Sequence, residues 1–237
     1  MPLWCSFYSM SYPATITIDR PERIANWRPI GQMILVLPQY VVLHTAMNVA
    51  ASLTAIYAWL AVLFTGKLPP GVAAFHATYV RYRARTFSYM AFLTDKYPPF
   101  DFTPAVEDPG GAGISVNFSP RLEGRNRLSV LFRFIVPFAW LTLIGMLGLI
   151  FGFASLPAWV WIVELVLGAV LIPGAVFSMV VWVISSIAAL VGLVVVTLTG
   201  RWPEALFRWS AGWVRVDARL WAYSMLLTDE YPPFSID

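Results

Sequence analysis

One stretch occurs twice in this chain, and it constrains the fold more than any other feature. Residues 65–100 read TGKLPPGVAAFHATYVRYRARTFSYMAFLTDKYPPF, and residues 199–234 read TGRWPEALFRWSAGWVRVDARLWAYSMLLTDEYPPF. The two align without a gap at a constant offset of 134, and 16 of the 36 positions are identical. Each copy directly follows a long apolar run. The chain is therefore two related units, each an apolar segment followed by this more polar one.

Within the copies, residues 71–93 and 205–227 read as helices. Neither has an internal proline, and both are rich in Ala, Arg, Leu and aromatics. Ala77, Arg81, Arg85, Tyr89 and Leu93 recur as Ala211, Arg215, Arg219, Tyr223 and Leu227. A spacing of four keeps these side chains on one broad helical face. Each helix runs into the sharpest shared element, Thr94, Asp95, Tyr97, Pro98, Pro99 and Phe100 in the first copy and Thr228, Asp229, Tyr231, Pro232, Pro233 and Phe234 in the second. The paired prolines stop the helix and favour extended backbone. The arginine face has two readings. It is a docking face for lipid phosphates or a partner, centred on Arg81, Arg85, Tyr89, Arg215, Arg219 and Tyr223. Alternatively, Arg85 and Arg219 pair with Asp95 and Asp229 and fold the helix end inward, the commoner role of such pairs.

Composition places the chain in a membrane. It is 59% hydrophobic and only 12% charged, with a mean hydropathy of +0.68, where soluble domains hold about 25% charged residues. The net charge of +3 gives no ground for a nucleic-acid partner. Cys5 is the sole cysteine, so an intrachain disulfide and a cysteine metal cluster are excluded. There is no signal-peptide pattern at the N-terminus. Gly110-Gly111 precedes a strand pattern and has no following Lys-Ser or Lys-Thr, so it is not a phosphate loop. No nucleophile has an orienting base, and no cofactor, metal or catalytic residue is expected.

The first apolar region, 30–64, would measure about 50 Å as one helix, against a hydrocarbon core of about 30 Å. Its flanks are basic on both sides, with Arg20, Arg23 and Arg28 before it and Lys67, Arg81, Arg83 and Arg85 after it. If basic flanks mark the cytoplasmic side, the number of spans is even. The expectation is a helical hairpin with its turn near Met47-Asn48 and Pro38 in its first helix. The second apolar region, 128–198, is read as spans at 129–153 and 174–198, with a re-entrant or interfacial helix at 157–173. His44 and Glu164 are the polar candidates at membrane depth. His44 is read as a contact near the hairpin tip. Glu164 is read as a relay carboxylate, a snorkelling side chain or a partner of Arg133.

ATITI at Ala14–Ile18 and ISVNF at Ile114–Phe118 alternate and predict two short strands. They extend the repeats forward, to 12–100 and 112–237, with an N-terminal segment at 1–11 and a linker at 101–111. The expected fold is an all-α integral membrane protein of two unequal parallel repeats, each a short strand, a transmembrane hairpin and an amphipathic interfacial helix ending in TDxYPPF.

The apolar run, Thr-Gly-basic-x-Pro, the arginine-bearing helix and Leu-Thr-Asp-x-Tyr-Pro-Pro-Phe together resemble a bacterial membrane family known as domain of unknown function 4389, here in two tandem copies. The resemblance implies a multi-pass protein of the bacterial inner membrane and carries over no activity and no site. The basic flanks place both termini in the cytoplasm. The expected role is a non-enzymatic accessory or scaffold subunit of a larger membrane complex. The alternatives are a protein that binds or handles anionic lipid, and a small-solute transporter or channel. The expected partners are membrane lipids, a membrane protein and a second copy of the chain.

Overall fold

The computed structural model describes residues 12–110, 113–133, 180, 183–233 and 235–236. The predicted span at 129–153, the re-entrant or interfacial helix at 157–173 and Glu164 lie largely or wholly outside the described residues, as do residues 174–179 and 181–182 of the predicted span at 174–198. The described part is mostly helical with one small sheet. In chain order it comprises β1 (Ala14–Ile18), α1 (Arg28–Thr65), α2 (Pro70–Met90), β2 (Ile114–Phe118), α3 (Arg127–Arg133), α4 (Val183–Thr199) and α5 (Glu204–Ser224).

Both strands fall where the sequence alternates, and they pair with each other. β1 and β2 run antiparallel, with Ile16 opposite Val116 at the centre and Ala14 opposite Phe118 at one end. Ala14, Ile16, Ile18, Ile114, Val116 and Phe118 face the core, while Thr15, Thr17 and Asn117 face outward. The period of two fixes this register, since a slip by one residue would expose the whole apolar set.

The hairpin expected over 30–64 is absent. Arg28–Thr65 is one helix of 38 residues. At the expected turn, Met47 and Asn48 have helical dihedrals, φ −71° and ψ −40° for the first and φ −65° and ψ −42° for the second. No glycine or proline stands there to reverse the chain. Residues Leu43–Met47 instead form a π-turn, in which the Asn48 N–H bonds to the Leu43 carbonyl. Its purpose is legible in the packing. The buried stripe of α1 runs through Pro29, Gln32, Val36, Gln39, Leu43, Met47, Ala51, Ala58 and Val62. Between 39 and 51 its steps are all four residues. A 3.6-residue helix would rotate those positions off the seam, and the wider π-turn holds them on it.

Helices α2 and α5 are the duplicated helices, and they pack against each other. Their ends share one design. The N–H of Leu93 bonds to the Ser88 carbonyl and that of Phe92 to the Tyr89 carbonyl. In the second copy Leu227 bonds to Ala222 and Leu226 to Tyr223. These are Schellman caps, whose reversing residue is usually glycine. Here it is Phe92 (φ 60°) and Leu226 (φ 61°), each with its side chain buried. The left-handed conformation costs about 1–2 kcal/mol, and burying a large apolar side chain at the cap offsets it.

The start of each copy shows matched changes in size. In the second copy Trp202 is buried and its Nε1–H donates to the Phe92 carbonyl at 2.7 Å. The ring lies on Gly192, where a Cβ would stand 2.1 Å from it. The equivalent positions in the first copy are Leu68 and Ala58, both buried. A small side chain under a large ring in one copy replaces a moderate pair in the other. Gly192→Ala should therefore displace the Trp202 ring and lower stability by about 1–3 kcal/mol, whereas Ala58→Gly should cost about 1 kcal/mol. Thermal melting of the two detergent-solubilised variants, with Trp fluorescence as the probe, checks this.

Candidate functional site

The two arginine faces are buried to different degrees, and this asymmetry defines the candidate site. In the first copy Arg81 and Arg85 are 3% and 4% exposed. Both converge on Asp108, at 3.7 Å and 2.5 Å, and the carboxylate is itself 2% exposed. Arg81 also donates to the carbonyls of Ala105 and Val106 at 3.2 and 2.8 Å, and to that of Val116 on β2. Asp108 accepts the backbone N–H groups of Gly110 and Val116, each at 2.7 Å. Burial pulls the Arg81 guanidinium down from its ordinary range, and Asp108 opposes that pull. The linker after YPPF thus folds back and covers the first arginine pair, giving the two guanidinium groups one shared carboxylate. A docking role has no surface to act from here.

In the second copy the corresponding arginines line a cavity of about 540 Å³ together with Arg208, Tyr12, Ala14, Thr15 and Ile16. Arg215 donates to the carbonyls of Ile16 and Ile236, both at 3.4 Å. Arg219 donates to the Ser235 carbonyl at 3.3 Å and lies 5.9 Å from the Tyr12 ring. No carboxylate is among the described residues that line the cavity. Arg208, on the exposed side of α5, has no counterpart in the first copy, where Ala74 stands. Arg208 lies outside the repeated four-residue spacing, so the sequence pattern does not single it out.

The expected pairing of Arg85 with Asp95, and of Arg219 with Asp229, does not form. Arg28 takes Asp95 at 3.3 Å, and buried Arg125 takes Asp229 at 3.1 Å. Both aspartates sit at helix ends that face the start of a different segment, so their partners come from there. The YPPF segments pack by edge-to-face rings. Tyr97 meets Tyr89 at 5.4 Å, and Tyr231 meets Tyr223 at 5.4 Å. Gln39 on α1 donates to the Pro98 carbonyl at 2.7 Å, and Gln32 to that of Thr94 at 3.0 Å. Pro232 is buried, whereas Pro99, Phe100 and Pro233 are exposed. The side chain of His44, and Phe234, lie outside the described residues.

The contact between α2 and α5 joins equivalent positions. Arg83 and Asp217, one offset apart, pair at 2.8 and 3.1 Å. The Arg83 guanidinium lies 4.6 Å from the rings of Phe87 and Trp221, which are also equivalent. Tyr79 packs on Trp221 and Phe87 on Trp213, and exchanging the copies turns one pair into the other.

His76 is the one fully buried histidine among the described residues. Its Nδ1–H donates to the Met225 carbonyl at 2.8 Å, which leaves Nε2 to accept from the Thr54 hydroxyl at 3.0 Å. It ties α1, α2 and the end of α5 together. Desolvation lowers its pKa to about 4, against the Met225 hydrogen bond, which raises it. Among the described residues no cluster of His, Cys, Asp or Glu is placed to hold a metal.

Two outcomes follow. Asp108→Asn should destabilise the fold by about 3–5 kcal/mol, because two buried guanidinium groups lose their counter-charge; denaturant titration in detergent reads it. For His76 the unfolded chain binds a proton below pH 6.5 that the folded protein refuses until about pH 4. Stability contributed by the neutral ring is thus complete above pH 6.5 and falls as pH drops, by about 3 kcal/mol at pH 4. The difference between the pH–melting curves of the native protein and His76→Gln should narrow or reverse across that window.

Neither a curated protein nor a solved structure matches the chain. The sequence profile of a domain of unknown function (DUF4389) matches twice, at residues 30–101 and 168–235. The ends of the two regions repeat the offset of 134, and together they cover more than half of the chain. The protein therefore belongs to the DUF4389 family and carries its domain in two copies.

Proposed function

We propose that this protein is a non-enzymatic scaffold or accessory subunit of a bacterial inner-membrane assembly. The observation that supports this reading is the bare apolar surface of its long helices. Along α1, Ile30, Ile34, Leu37, Val41, Leu53 and Phe64 are between 54% and 74% exposed. On α4, Ile187, Leu190, Val194 and Leu198 are between 56% and 74% exposed. A water-soluble monomer does not display continuous apolar faces of this size. α1 is long and apolar enough to cross a membrane by length and composition. The other face of each helix is occupied by the polar body, so the molecule has one side for a membrane and another for protein contacts. Second copies of the chain and other membrane proteins are the partners that fit such faces.

Anionic-lipid binding is a second reading, favoured by the cavity that holds Arg208, Arg215 and Arg219. The three cations gathered at its lining suit a phosphate or a carboxylate headgroup.

Purification of the tagged protein from its native membrane in mild detergent, with mass spectrometry of bound proteins and lipids, separates the two. A stoichiometric protein partner is the outcome expected for a scaffold. Recovery of the protein alone, with anionic lipid enriched, selects the second reading. In that case Arg208→Gln with Arg215→Gln should weaken binding to phosphatidylglycerol vesicles at least fivefold, while Arg81→Gln should instead impair folding.

A further inference from the structure

We infer that α1 does not cross the bilayer but lies along its surface, with its bare face sunk into one leaflet and the polar body on the aqueous side. The inference rests on the membrane reading above and goes beyond it, to a lipid surface engaged lengthwise.

Length is the first argument. A helix of 38 residues measures about 57 Å, nearly twice the hydrocarbon thickness of about 30 Å. Fitting it inside by tilt alone needs roughly 58°, beyond the observed range of up to about 40°.

The second argument is decisive, because a crossing helix is free to protrude. Polar structure follows α1 from end to end. Arg28 pairs with Asp95 at the start, and beyond the last turn Lys67 pairs with Glu123 at 2.9 Å. Between these, the helix bonds Tyr79 through Asn48 at 2.5 Å and His76 through Thr54 at 3.0 Å. Tyr82 bonds to Gln39. Tyr79 and Tyr82 bracket Arg81, and so set Arg81 level with the middle of α1. Arg81 carries the 105–108 loop and β2 with it. The loop's Glu107 is exposed, and so is Asp101 shortly before it.

An upright α1 would therefore hold an irregular loop, exposed carboxylates and a two-stranded sheet at the centre of the bilayer. Lipid-exposed loops and open sheet edges do not occur in hydrocarbon, because their backbone groups find no partner there. Laid flat, the same molecule meets no such conflict. The exposed stripe of Ile34, Val41, Leu53 and Leu60 enters the boundary between headgroups and acyl chains, about 5–10 Å deep, and the sheet stays in water. α4 aligns with residues 49–65 of α1 and exposes the same kind of apolar face.

Depth measurement tests this on the full chain. In a Cys5→Ser background, Ile34→Cys, Val41→Cys, Leu53→Cys and Leu60→Cys are each labelled with an environment-sensitive fluorophore. The protein is reconstituted into phosphatidylcholine–phosphatidylglycerol vesicles carrying spin labels at either a shallow or a deep acyl position. All four sites are exposed, so the substitutions leave the packing intact. A surface helix gives shallow-to-deep quenching ratios within twofold of one another at all four sites. Deep quenching at 41 and 53 with shallow quenching at 34 and 60 overturns the inference and leaves the membrane reading standing. Absence of quenching by either lipid label at every site overturns the membrane reading itself.

Discussion

The contact on which the two halves depend is the pair made by Arg83 and Asp217. Helices α2 and α5 descend from one repeated pattern and meet at equivalent positions. Had both copies kept the same charged residue there, two like charges would face each other in a partly buried seam, at a cost that rises as water is excluded. One arginine and one aspartate, 13% and 15% exposed, turn that repulsion into a bidentate ion pair. Burial alone would lower the Arg83 pKa, yet Asp217 outweighs it and the net shift is upward. The rings of Phe87 and Trp221 close over the guanidinium from equivalent places. The divergence of the two copies at this position is thus part of what lets them pack together.

The two strands and the stretches that follow them complete the exchange. The Arg81 guanidinium of the first copy reaches Val116 on β2, and Arg215 of the second reaches Ile16 on β1, where Ile16 and Val116 are register partners. The turn before α5 takes the N–H of Ile24 on the Gly200 carbonyl, and the turn before α2 gives the N–H of Leu68 to the Leu122 carbonyl. Each strand and its following stretch therefore serve the opposite copy. Neither unit buries its own arginine face without a strand from the other, so the chain folds as one interlocked body. The copies differ after YPPF. Asp108 seals the first arginine pair, while the second pair borders a cavity that Arg208 enlarges in charge. Duplication has left one sealed arginine pair and one that faces a cavity.

Local pattern made much of this readable in advance. Alternation located both strands to the residue, and the absence of proline over 71–93 and 205–227 located α2 and α5 within three residues of their ends. Exact spacing of four picked out one shared face on each helix but left open whether that face turns outward to a partner or inward to the fold. What pattern did not hold was pairing across the chain. Asp108 reads as part of a turn, because nothing local says that its carboxylate reaches back 27 residues to Arg81. Phe92 and Leu226 do not advertise a left-handed cap, since the usual glycine is missing and only burial makes the conformation tolerable. His76 looks like one more polar residue on a helix until Thr54 and Met225 close around it. The π-turn at Leu43–Met47 is invisible in composition and shows only as a run of four-residue steps in the buried stripe.

The failed hairpin carries the most physical content. Basic residues flank the first apolar region on both sides, and an even number of crossings is one way to keep both flanks in the cytoplasm. Zero is also even. A helix that lies in one leaflet leaves both ends on the same side without any turn, so the flanking charges never distinguished a hairpin from an unbroken surface helix. Hydropathy did not distinguish them either, because a face exposed to lipid and a stripe buried against protein are both apolar. The discriminating features are the buried glutamines. Gln32 and Gln39 sit on the inner stripe at 1% and 0% exposure and donate to the carbonyls of Thr94 and Pro98. They recur seven residues apart within an otherwise apolar run, so they mark where a polar chain segment docks along the helix. The first half of α1 is thus bound by these two glutamines to the segment that carries the first copy of the YPPF motif.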